Sequence, residues 1–103
     1  MLPIAEDGSL RDASEVIQHA GSSIDPRRQT GPHAHAVEID AANRFVFVPE
    51  LGLDKVMIYV LDPARGKLTP NPNHASISVA PGAGPRQLVM HPNGRFAYLI
   101  NEL

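Results

Sequence analysis

The sequence predicts an all-β fold assembled from antiparallel four-stranded units, and three observations carry that prediction. Short runs rich in Val, Ile, Phe and Tyr fill the second half of the chain, turn residues separate every run, and one stretch returns 51 residues later with the same pattern. No segment offers a competing amphipathic helix of ordinary length.

The elements follow in chain order. Glu6-Asp7-Gly8-Ser9-Leu10 is a turn leading into an apolar residue. Asp12–His19 has a helix-capping Asp with Val16 and Ile17 behind it, but Gly21 stops it early, and the repeat described below favours a strand over 10–19. Residues 34–39, 45–50 and 55–61 are expected as three successive strands, the last two parted by Pro49-Glu50-Leu51-Gly52-Leu53-Asp54. Asp62-Pro63-Ala64-Arg65-Gly66 is a hairpin turn into a fourth strand over 67–79, with a break. Strands over 86–91 and 96–101 close the chain, joined by the turn His91-Pro92-Asn93-Gly94.

The repeat ties these pieces together. His35–Val48 and Arg86–Leu99 each run apolar strand, turn, Arg-Phe, second strand, and each follows a Gly-Pro, at Gly31-Pro32 and Gly84-Pro85, with a two-residue difference in length. A period near fifty that holds four short strands is what a blade of a β-propeller requires. The expected division is therefore residues 1–22 as the outer strand of one blade with its connecting loop, 23–80 as one essentially complete blade with its entry loop, and 81–103 as the first two strands of the next. A blade is apolar on both faces, so self-association through exposed blade faces or edge strands is expected of a chain holding one blade and parts of two others.

Composition limits the function classes. The chain has 9 basic and 11 acidic residues and a formal charge of −2, without the concentrated basic stripe of a nucleic-acid surface, so no nucleic-acid partner is expected. Arg27-Arg28 is the one adjacent basic pair, and it reads as part of a solvated loop. There is no cysteine, hence neither a disulfide nor a thiolate nucleophile. No apolar run approaches eighteen residues, so no membrane association is expected. The opening Met-Leu-Pro-Ile-Ala-Glu-Asp lacks the basic-then-apolar order of a leader, which makes a cytoplasmic setting the expectation.

The polar residues that could carry chemistry cluster at strand ends. His33 and His35 lie two apart at a strand start and would project to one side, where they could hold a metal, act on a substrate or serve as loop histidines. Metal ligation would need further ligands that the sequence does not single out, so neither metal nor cofactor is expected. Arg86 stands in the second copy where His35 stands in the first; its guanidinium suits phosphate or carboxylate oxygens, or an inter-blade salt bridge. Glu102 ends an apolar strand and could orient His or Arg, act as a base, or be hydrated. Glu50 and Asp54, in the related turn of the first copy, read as solvent-exposed, and His19, His74 and His91 as ordinary loop or turn residues. Pro81-Gly82-Ala83-Gly84-Pro85 lacks the helix and Lys-Ser/Thr of a phosphate loop.

Gly31-Pro32-His33-Ala34-His35-Ala36-Val37, Glu50-Leu51-Gly52-Leu53-Asp54-Lys55-Val56, Pro81–Arg86, His91–Tyr98 and Asn101-Glu102-Leu103 together resemble the successive signatures of the propeller lactonase family. That family includes bacterial 6-phosphogluconolactonases and fungal 3-carboxy-cis,cis-muconate lactonizing enzymes. The resemblance implies a seven-bladed β-propeller, of which seven periods of 51 residues would make about 357; this chain would be a middle fragment of it. It further implies a site in the central channel using a histidine of Pro-His-x-His (His33 or His35), Arg86 and Glu102, with an anionic small-molecule substrate, either a phosphorylated lactone or a carboxylated acid. The activity implied is lactone hydrolysis, little of which is expected from a fragment; muconate-type cyclisation and a non-catalytic interaction module are the alternatives. One departure stands out: Gln87 occupies a position where the family usually has His.

Overall fold

The computed structural model describes residues 1–103 and is all-β apart from one short turn of 3-10 helix. Its main sheet contains β1 (Glu38–Ile39), β2 (Phe45–Glu50), β3 (Lys55–Asp62), β4 (Lys67–Pro70) and β5 (Ser76–Ser78). The order is β1-β2-β3-β4, antiparallel throughout, and β5 pairs with β3 beside β4. Thus β4 and β5 line two halves of the same edge: Leu68 opposes Leu61 at one end of β3 and Ile77 opposes Val56 at the other. This is the fourth strand with a break that the sequence predicts over 67–79, since the loop between Pro70 and Ser76 leaves the ladder and returns. A second sheet pairs β6 (Pro85–Met90) with β7 (Ala97–Asn101) and lies against β1 and β2.

The two copies of the repeat have the same construction. Glu38 opposes Phe47 and Ile39 opposes Val46; 51 residues on, Val89 opposes Tyr98 and Met90 opposes Ala97. Both turns close identically, with Asp40 N–H donating to Phe45 O and Asn43 N–H to Asp40 O in one, His91 N–H to Phe96 O and Gly94 N–H to His91 O in the other. The left-handed position is Asn43 (φ 53°) in the first and Gly94 (φ 69°) in the second, two residue types that tolerate it. Arg44 covers the ring of Phe45 and Arg95 that of Phe96, so the Arg-Phe pair is a stacking unit in both.

Period-two alternation places Val46, Val48 and Tyr59 in one buried cluster, with Met57, Leu61 and Leu68 packed against it. The core is small, with 14 of 103 residues buried, whereas Val89, Tyr98 and Ile100 are at least half exposed. Such an apolar sheet face is what a blade presents to a neighbour.

Three sequence expectations change, the first being the strand expected over 34–39, which forms only over Glu38–Ile39, with Ala34 in an isolated bridge to Glu50. Residues 11–19 form no strand; the only pairing in this region is the bridge between Ile4 and Leu10, and the segment instead spends its polar groups on the main sheet. Glu15 accepts Leu68 N–H and Ser14 Oγ donates to Gly66 O, 2.9 Å away. Glu50 and Asp54 are buried rather than solvent-exposed, at 0% and 5% relative exposure, because each carboxylate collects donors from distant loops.

Candidate functional site

The site is assembled where the chain leaves β2 and β7. His33-Ala34-His35 runs alongside the end of β2: His35 N–H donates to Pro49 O at 2.9 Å, Leu51 N–H donates to His33 O at 3.0 Å, and Ala34 bridges Glu50. Glu50 fixes this segment from inside. One carboxylate oxygen accepts the N–H of His33 and the other pairs with Nδ1 of His19. Nε2 of His19 in turn meets Tyr59 Oη at 2.8 Å. Burial, with Glu50 nearby, pushes the Tyr59 hydroxyl above its ordinary pKa.

The preceding loop is held by a fully buried amide. Gln29 donates through Nε2 to Leu51 O at 2.8 Å and accepts Asp25 N–H at 3.0 Å. Asp25 then accepts the N–H groups of Arg27 and Arg28. This places Arg28 beside Glu102.

Asp54 does the equivalent work for the loop before β6. It sits at φ 54° after the 3-10 turn Leu51–Leu53 and accepts Ser23 Oγ–H at 2.5 Å, Gly82 N–H at 2.7 Å and Gly84 N–H at 2.8 Å. Burial alone would raise its pKa, but the hydrogen bonds from Ser23, Gly84 and Gly82 outweigh it and hold the carboxyl below the ordinary range. From this anchored loop, Gly84 O accepts Glu102 N–H at 2.8 Å.

Arg86 stands at an irregularity of the ladder: Pro85 opposes Asn101, but Gln87 opposes Ile100. A bulge re-aims the side chain it carries, and here the guanidinium reaches Glu102.

The result is a cluster around one carboxylate. Arg28 Nη2 pairs with Oε1 of Glu102, Arg86 Nη1 pairs with Oε2, and His35 Nε2 lies 3.7 Å from Oε2. The hydrogen bond from Arg28, then that from Arg86, hold Glu102 ionised below the usual carboxylate range against the opposing effect of burial. His33 and His35 border an open concavity of about 260 Å³ together with Arg27, Arg28 and Leu51.

Of the residues expected from sequence, His35, Arg86 and Glu102 therefore converge, and His33 lines the same hollow. No group of three or more metal-ligating side chains forms here; two guanidiniums beside one carboxylate favour an anion over a cation. Gln87 lies elsewhere, in a hollow with Val89, Tyr98, Leu99 and Ile100.

Sequence reasoning missed five participants, among them Asp54, which read as solvent-exposed. Arg28 read as solvated loop and His19 as ordinary, although their partners lie 74 and 31 residues away. Gln29 and Glu50 are fully buried without any local pattern that announces it. The adjacent basic pair was the only visible signal.

Comparison with known proteins places these residues in context. A family model described as a lactonase, seven-bladed β-propeller, matches residues 1–103. A 6-phosphogluconolactonase of Bacillus subtilis is 37% identical over the whole chain, which covers 28% of that protein. One from Erwinia tasmaniensis is 45% identical over 98% of this chain and 27% of the relative. Among solved structures, a candidate 6-phosphogluconolactonase from Bacteroides fragilis superposes with a TM-score of 0.91 at 40% identity, over 98% of this chain and 30% of that one. The periplasmic gluconolactonase PpgL of Pseudomonas aeruginosa gives a TM-score of 0.90 at 39% identity, over 99% and 28%. The chain thus spans less than a third of the length of these relatives.

Proposed function

The chain belongs to the seven-bladed β-propeller lactonase family, and from that premise we propose that it supplies part of a channel site that hydrolyses a sugar-phosphate δ-lactone. The observation that carries the reading is the meeting of His35, Arg86 and Glu102, with His35 on the wall of the hollow. The names of the Bacillus and Erwinia relatives agree with it.

In this reading His35 is the general base. It takes a proton from water as the oxygen attacks the ring carbonyl carbon, and the carbonyl becomes an oxyanion. Arg86 stabilises that oxyanion or the substrate phosphate. Collapse of the tetrahedral intermediate breaks the bond from the carbonyl carbon to the ring oxygen, which receives the proton back from His35 as a hydroxyl. Glu102, kept ionised by its two guanidiniums, aims Arg86 and faces His35 at 3.7 Å rather than accepting the proton itself. His33, on the same hollow, contacts the sugar.

The partition into 1–22, 23–80 and 81–103 as parts of successive blades belongs to the same proposal, as does self-association through the exposed face of β6 and β7, which solution mass measurements test. A cytoplasmic setting goes with a phosphorylated substrate, because sugar phosphates are made from intracellular nucleoside triphosphates. An unphosphorylated lactone would go with the periplasm, as the name of the Pseudomonas relative says of that protein.

The test is hydrolysis of 6-phosphogluconolactone, corrected for spontaneous ring opening, by a full-length seven-bladed protein containing this sequence. His35→Ala is expected to lower kcat by roughly 100-fold or more. An unchanged rate would remove His35 from the chemistry, and turnover of a carboxylated muconate in place of the lactone would move the assignment to cyclisation.

A further inference from the structure

We propose that Arg28 is a second anion-binding guanidinium of this site and sets its preference for a phosphorylated over an unphosphorylated lactone; the proposal rests on the lactonase reading above. Arg28 and Arg86 bracket Glu102, one on each carboxylate oxygen, and their side chains are 49% and 48% exposed. Each guanidinium has five N–H donors in a fixed fork, and the structure uses one of them at Glu102 in each case. Arg28 lines the hollow, and both side chains keep about half of their surface open to solvent.

The charge balance points the same way. Two guanidiniums against one carboxylate leave an excess positive charge, while Arg27 on the rim of the hollow is offset by the neighbouring Asp25 carboxylate. A neutral lactone ring gains little from this excess, whereas a phosphate carrying nearly two negative charges gains from every free donor.

Arg28 is also held in place rather than trailing in solvent. Its N–H is fixed by Asp25 at 3.0 Å, and the next residue, Gln29, is fully buried and bound to Leu51 O. A surface ion pair would need no such foundation. Preorganisation of this kind lowers the ordering cost of binding.

The experiment compares wild type, Arg28→Met and Arg28→Lys in a full-length seven-bladed protein containing this sequence. It measures kcat/KM on 6-phosphogluconolactone and on glucono-δ-lactone, both corrected for spontaneous opening, together with the affinity for inorganic phosphate and 6-phosphogluconate by calorimetry. Arg28→Met is expected to lower kcat/KM for the phosphorylated lactone by roughly 10- to 100-fold, chiefly through KM. The unphosphorylated lactone should lose far less, the preference between the two should collapse accordingly, and Lys should restore part of it. Equal losses on both substrates would reduce Arg28 to a support for Glu102 and overturn the proposal, as would no loss on either. If wild type opens neither lactone, the lactonase reading fails separately. The phosphate affinities still decide the role of Arg28: weaker binding in Arg28→Met upholds it as an anion site, and unchanged binding removes it.

Discussion

Replacing Gly52 by alanine should dislodge the histidine segment without altering any polar group of the site. Gly52 lies in the 3-10 turn after β2, where the backbone of residues 31–33 crosses it. A Cβ there would stand 1.9 Å from Gly31 O, 2.9 Å from Gly31 C and 3.0 Å from His33 N. Ordinary contact needs about 3.5 Å, so one backbone must retreat from the other by more than about 1 Å. The retreat would break Leu51 N–H to His33 O and the bond from His33 N–H to Glu50. Overpacking contributes about 1–3 kcal/mol, and stranding a buried hydrogen-bonding group a further 1–3 or so, so a loss of roughly 2–6 kcal/mol is expected. Denaturant unfolding of a full-length protein containing this sequence measures it, and lactone hydrolysis should fall by about 100-fold from the misplacement. Gly31→Ala is the control, since a Cβ at that position meets nothing within 4 Å; it should stay within about 0.5 kcal/mol of wild type. If Gly52→Ala matched Gly31→Ala in stability and rate, the reasoning from backbone crossing would be refuted.

Three other perturbations follow from the buried carboxylates and from Gln87. Glu50→Ala strands the donors of His33 and His19 and should lose about 2–4 kcal/mol, whereas Glu50→Gln, which keeps an acceptor for His33 N–H, should lose clearly less; paired thermal unfolding curves check the difference. Asp54 has its folded pKa depressed below 3.8, so its contribution is complete above that value and is lost as pH falls through the folded one. Stability measured from pH 7 down to 2 should show this acid loss in wild type, and Asp54→Asn should lack that component while losing about 1–3 kcal/mol at neutral pH. Gln87→His should change lactone hydrolysis by less than about 2-fold, because residue 87 borders a different hollow; a rate change beyond 10-fold would bring it back to the site.

What the sequence made legible was whatever has a short-range cause. Phe45–Glu50 and Lys55–Asp62 were visible because alternation and turn residues act within a few positions, and the repeat was visible because both copies use the same turn. The convergence of His35, Arg86 and Glu102 was accessible only through family resemblance, since no local pattern brings positions 35 and 102 together. The buried supports escaped entirely. A carboxylate such as Glu50, next to a turn, has the same local appearance whether water or His19 and His33 surround it. The absent strand over 11–19 shows the opposite error: a repeat-based expectation overrode a segment whose Ser14 and Glu15 are committed to capping the edge around Gly66 and Leu68.

The position of Asp54 also predicts an order of assembly. The connection between β2 and β3 is only four residues, Leu51–Asp54, so that hairpin closes with little loss of chain entropy. Ser23, Gly82 and Gly84 must each come from 28 to 31 residues away to reach the same carboxylate. They have no fixed target until the hairpin has set Asp54 in its left-handed turn. The loop that carries Arg28 and the loop that leads to Arg86 therefore dock late, onto a finished seat, from opposite directions along the chain. Amides of the central hairpin would become protected from exchange before those of the two loops, and the hollow beside His33 and His35 would close after the hairpin.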